Sequence, residues 1–121
     1  MKHVEVKTID LTGAALDWAV AHCEGEVVEY IDDGITRTLL RQSSGRYTPS
    51  TNWAQGGPII EREWLDVTPW PNESDEDIRW QCNQHDVTDC CFYGPTPLIA
   101  AMRCYVAAKW NDVVTVPEVL L

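Results

Sequence analysis

The chain has 121 residues, with 19 acidic against 9 basic side chains, and carries a net charge of −10. That length suits one domain burying roughly two thirds of its extended surface. A 45% hydrophobic content with six tryptophans argues for a compact core over a disordered acidic tail. Gripping a nucleic-acid backbone directly is disfavoured, because it needs clustered Lys and Arg that release counterions.

After Lys2 and His3 the chain runs through Glu5, Lys7 and Asp10 without an apolar signal core. The charge-free stretch Cys90 to Met102 holds Gly94, Pro95 and Pro97 and falls short of the about 20 apolar residues that span a bilayer. A soluble cytoplasmic protein with no membrane partner is therefore expected. The five cysteines, an odd number with Cys90 and Cys91 adjacent, suit reduced thiols better than a secreted disulfide framework.

The first predicted element is a helix opened by Thr12 and stopped by Gly25, with Leu11 and Leu16 at staple spacing. Leu16, Val20 and Cys23 form its apolar stripe, widened by Ala15 and Ala19, and Trp18 lies off the centre of that stripe. Val27 to Ile31 and Ile35 to Leu40 read as a hairpin around Asp32-Asp33-Gly34. Gln42 to Pro58 reads as a long ordered loop in which Ser50 or Thr51 starts a turn holding Trp53. Pro58 is expected to open a short helix over Ile59 to Leu65.

Leu65 to Trp70 and Ile78 to Cys82 look like strands, joined by the solvated linker Pro71 to Asp77. The closing helix is capped by Thr96, carries Pro97 in its first turn and runs from Leu98 to Trp110, with Ile99, Met102, Val106 and Trp110 along one side. Val113 to Leu121 is expected to be a tail tied down by Pro117. This order predicts a single α+β domain over residues 1–121, in which helices cover a small antiparallel sheet as a layered sandwich.

Three stretches stand out as wholes. They are Leu11-Thr-Gly-Ala-Ala-Leu-Asp-Trp-Ala-Val20, Tyr47-Thr-Pro-Ser-Thr-Asn-Trp-Ala-Gln-Gly-Gly-Pro-Ile-Ile-Glu-Arg-Glu63 and Tyr93-Gly-Pro-Thr-Pro-Leu-Ile-Ala-Ala-Met-Arg-Cys-Tyr-Val106. Together they resemble the NinX-like proteins of tailed bacteriophages over nearly the whole chain. A weaker similarity links the layout to small phage ABA-sandwich domains. The resemblance implies a phage or prophage accessory protein working in the bacterial cytoplasm, and it brings no reaction, cofactor or catalytic residue with it. It also implies that Val67 to Phe92 is the stretch in which relatives differ most.

The residues themselves offer several chemistries. Cys82, His85, Cys90 and Cys91 include enough ligands for tetrahedral zinc. Their spacing is unusual, however, and adjacent cysteines on a strand point to opposite faces. A strand with one buried and one exposed thiol is the preferred reading, so no metal or other cofactor is expected. His3, His22 and His85 show no triad or metal-pair spacing, and Cys23 and Cys104 sit at apolar helical positions as packed thiols. No catalytic residue is assigned, and a binder is expected over an enzyme.

Residues 61 to 90 contain nine acids and two arginines. Such a run is ordinarily a solvated face. Its functional form would be an acidic inhibitor or DNA mimic occupying a host protein.

The preferred site is a pair of loop-to-helix junctions, Gln55-Gly56-Gly57-Pro58 and Gly94-Pro95-Thr96-Pro97. There backbone amides and a helix amino terminus favour an anion. Tyr47, Trp53 and Tyr93 would supply flat surfaces, and Arg62 and Arg103 would supply positive charge. The structural alternative is that these glycines and prolines punctuate loops pinned by the aromatics. The expected partner is thus a small anionic, nucleotide-like metabolite or else a host protein. A monomer and a homo-oligomer are both compatible with the sequence.

Overall fold

A computed structural model of the chain describes residues 2–32, 37–41, 45–70, 74–84 and 87–121. Strand β1 (His3–Lys7) alternates exposed and half-buried positions, turning Val4 and Val6 inward. A 3-10 turn, Thr8–Asp10, leads into α1 (Gly13–Glu24). Thr12 occupies the N-cap in extended conformation, but its side chain makes no capping bond. At the other end Gly25 is left-handed (φ 71°), and the N–H groups of Gly25 and Glu26 donate to His22 and Ala21. These are the two bonds of a glycine-stopped helix.

β2 (Val28–Asp32) and β3 (Arg37–Arg41) pair antiparallel as the sequence predicts, with Asp32 opposite Arg37, and the short β4 (Gly45–Arg46) adds a third strand. The Asp33-Gly34 turn expected here lies outside the described residues.

The middle helix differs from expectation. α2 spans Trp53–Glu63 as one element capped by Asn52, whose Oδ1 accepts from the Ala54 N–H at 2.9 Å, and Pro58 lies inside it. Pro58 has no N–H for the bond to Ala54, so local preference opposes this helix. Tertiary packing of Gly56 against Pro49 and Leu98 holds its first turn instead. The helix ends at Trp64, which is left-handed (φ 54°) without being glycine. That conformation costs roughly 1 kcal/mol.

β5 (Asp66–Pro69), β6 (Trp80–Gln84) and β7 (Val87–Gly94) form a second antiparallel sheet. Against it lies α3 (Pro97–Lys109), which also touches α1 and α2. Thr96 caps α3 as predicted, its Oγ1 accepting from the Ile99 N–H at 3.1 Å. The predicted single apolar side is too narrow, because Leu98 and every residue from Ala100 to Val106 are buried. A helix enclosed on all sides has to be apolar or small nearly all round. Arg103 is its one buried charge.

Strand β8 (Val113–Pro117) replaces the expected tail. It pairs with β1, placing Val4 opposite Val116 and Val6 opposite Val114. The described residues thus form an α+β fold of three helices, with the strands in three small antiparallel sheets where one was expected. No helix among them is long and apolar enough to cross a membrane.

Trp18 flanks the core beside an aromatic stack. His22 lies on Trp110 at 4.0 Å between ring centroids, and Trp18 packs against both.

Candidate functional site

Arg103 is only 8% exposed. Its Nε donates to the Leu11 carbonyl and its Nη1 to the Tyr93 carbonyl, each at 2.8 Å. One side chain of α3 therefore ties the start of α1 to the end of β7. The guanidinium also borders a cleft of about 410 Å³. Tyr93, Ile9, Ile78 and Pro95 form the apolar walls, while Asp10, Thr12 and Asp77 bring carboxylates and a hydroxyl to it. Asp10, Thr12 and Asp77 are exposed. Burial pulls the Arg103 pKa down, and the negative charges of Asp77 and Asp10 work against that shift.

A second hollow of about 490 Å³ adjoins the cleft and shares Ile9 and Tyr93 with it. Phe92, Cys91 and Val113 extend its wall, with Lys7 and Asp112 as its charged members. Tyr93 meets Trp70 edge-on at 5.9 Å, which fixes the ring between the two hollows.

Of the ten residues expected to form the site, Tyr93 and Arg103 line this cleft. The other eight are placed as follows. Tyr47 is buried in the core with Arg41 over its ring at 5.1 Å. Gln55 holds the preceding loop, its Oε1 accepting from the Thr48 N–H at 2.6 Å and its Nε2 donating to the Arg46 carbonyl at 2.7 Å. Trp53 is exposed. Thr96 spends its hydroxyl on the cap of α3.

Arg62 makes a bidentate pair with Glu24 at 3.0 and 2.7 Å, and its Nε donates to Glu63 at 3.0 Å. Tyr105 also donates to Glu24, and Lys109 pairs with Glu63 at 2.9 Å. Burial alone would raise the Glu24 carboxyl, but hydrogen bonds from Arg62 and Tyr105 outweigh it and hold the carboxyl low. This network joins the ends of all three helices.

The glycines have packing reasons. A Cβ on Gly56 would lie 2.4 Å from the Pro49 carbonyl oxygen and 2.7 Å from Leu98 Cδ2, and one on Gly94 would lie 2.7 Å from the Ala100 nitrogen. Gly57 has room, since its nearest contact would be the Trp53 ring at 3.8 Å. Gly56→Ala is therefore expected to destabilise by about 2–3 kcal/mol. Gly57→Ala should stabilise by roughly 0.5–1 kcal/mol through helix propensity. Urea unfolding of the two variants checks the opposite signs, and equal effects would show that the Gly56 contact is not tight.

The zinc reading turns on His85 and Cys90, whose side chains lie outside the described residues. Among the described residues no three His, Cys, Asp or Glu gather to hold a metal. Cys91 accepts from Gln81 Nε2 at 3.2 Å. Hydrogen bonding to Cys104 and burial push the Cys82 thiol up, and burial with the charge of Glu24 pushes Cys23 up to about 11.

Ile9, Asp10, Thr12, Asp77 and Ile78 were not anticipated as neighbours of Arg103, because nothing local joins positions 10, 77 and 103. The one readable signal was an arginine in mid-helix, in an element whose other charge, Lys109, is its last residue, since a buried guanidinium has to find acceptors.

These features define a small α+β domain with a cleft built around a buried arginine. The sequence profile described as "Bacteriophage P22, NinX" matches residues 7–109, and the chain belongs to that phage family. No curated protein matches it significantly.

Proposed function

We propose that this NinX-family chain is a non-enzymatic binder of a small ligand whose anionic group is held by Arg103 beside Tyr93. The sequence-based form of that ligand is nucleotide-like. Sequestering a host defence signal during phage infection would be one use of it. The observation that carries the reading is a buried guanidinium bordering a cleft of about 410 Å³. Sites for small ligands measure roughly 300–1,000 Å³ and are apolar with a few convergent polar groups. An anion completes the hydrogen bonding of such an arginine.

Native mass spectrometry of protein purified gently from a bacterial host tests this. The expected result is a bound mass that disappears on denaturation. A bare chain that also fails to take up small acids added in excess would overturn the reading. It would favour the acidic-inhibitor reading, which draws support from the exposed carboxylates Asp75, Glu76 and Asp77.

A further inference from the structure

We propose that the occupant of the cleft and the adjoining hollow is a small zwitterion with an apolar or aromatic body, such as a free amino acid of that type. This inference rests on the cleft being a ligand site.

The charge of the cleft comes first. Arg103 brings one positive charge, while Asp10 and Asp77 bring two negative ones, so the lining is net negative among the described residues. Two guanidinium nitrogens are already committed to the Leu11 and Tyr93 carbonyls, which leaves one edge for a single carboxylate-sized group. A phosphate dianion in the cleft would meet Arg103 together with two carboxylates, while Lys7 and Asp112 of the adjoining hollow balance each other, in a chain of net charge −10. A zwitterion avoids that repulsion. Its carboxylate pairs with Arg103, and its ammonium is attracted to Asp10 and Asp77.

The second hollow accounts for the body. Ile9 and Val113, two of its wall residues, are 37% and 46% exposed, so apolar surface there is uncovered. Phe92 and Tyr93 add aromatic surface to the same wall. Because Ile9 and Tyr93 belong to both hollows, a body attached to a head group on Arg103 passes over them into the apolar part. Burying that surface contributes in proportion to its area.

Amide chemical shifts of the full chain, titrated separately with L-phenylalanine, L-tryptophan, 3-phenylpropionate and adenosine monophosphate, test the inference. The amino acids should shift Ile9 to Thr12 together with Phe92 and Tyr93, saturably and at least about tenfold more tightly than the other two probes. The double variant Asp10→Asn, Asp77→Asn changes only exposed side chains. It should weaken the amino acids about tenfold and leave 3-phenylpropionate unchanged or tighter.

If adenosine monophosphate or 3-phenylpropionate binds the same residues more tightly than both amino acids, the zwitterion is wrong and the anion cleft stands. If no probe moves these amides, both the inference and the reading beneath it fall.

Discussion

Arg103→Met is expected to lower unfolding stability by about 3 kcal/mol at neutral pH, the larger part of it through backbone groups left unpaired. The side chain joins three elements through the carbonyls of Leu11 and Tyr93. Methionine retains much of the volume but donates nothing. Each stranded carbonyl then costs roughly 1–3 kcal/mol, depending on how far water can reach it.

Arg103→Lys should fall between the two, since an ammonium on a flexible stem does not reproduce the planar fork. Urea unfolding with an unchanged denaturant slope is the measurement. A loss below about 1 kcal/mol would mean that the guanidinium is not the tie between α1 and β7. It would also leave ligand binding as the reason for burying an arginine there.

Stability should also depend on pH through Asp17, a carboxyl that is 4% exposed on α1 and accepts from the Ser50 N–H at 2.8 Å. Burial pushes it up from the ordinary 3.8 to about 6, with hydrogen bonding from Ser50 working in the opposite direction. Between those two values the folded chain keeps a proton that the unfolded chain releases. The contribution of this group is therefore complete below about pH 4 and declines as pH rises through 6, by about 3 kcal/mol in all.

Asp17→Asn should accordingly gain on the parent between pH 4 and 8, reaching about 2 kcal/mol if its amide oxygen keeps the Ser50 bond. Parallel urea unfolding at pH 4, 6 and 8 measures the difference. A parent that gains on the variant as pH rises would mean that the ionised carboxylate, through its Ser50 bond, outweighs burial. The loop from Tyr47 to Ser50 would then be held chiefly by charge.

The buried Asp17 and the paired Gln55 also explain the long motif between Tyr47 and Glu63. Both side chains are spent on backbone N–H groups at Thr48 and Ser50. Gln55 read from sequence as a ligand contact, because a side-chain bond to a loop leaves the same residue type as a side-chain bond to a molecule. Arg62 is a similar case. It was expected to supply positive charge to the site, yet its main partner is Glu24 at the end of another helix.

What the sequence determined by itself were the features whose physics is local. Gly25 stops α1 because a left-handed residue is cheapest as glycine, and Thr96 with Pro97 starts α3 because a hydroxyl and a fixed φ suit a helix entrance. The hairpin of β2 and β3 was legible from two apolar runs, and β5 and part of β6 were expected as strands, whereas β7, beyond the strand reading of Cys90 and Cys91, was not among the predicted elements. The three long motifs also carried the family.

Only the tertiary structure decided the pairing of β1 with β8, the continuation of α2 through Pro58, the division into three sheets and the gathering of Asp10, Asp77, Tyr93 and Arg103 around one cleft. Each depends on contacts between residues far apart in the chain. A valine alternation or a lone arginine states what must be buried or paired, but the partner is set by packing, and packing has no local signature.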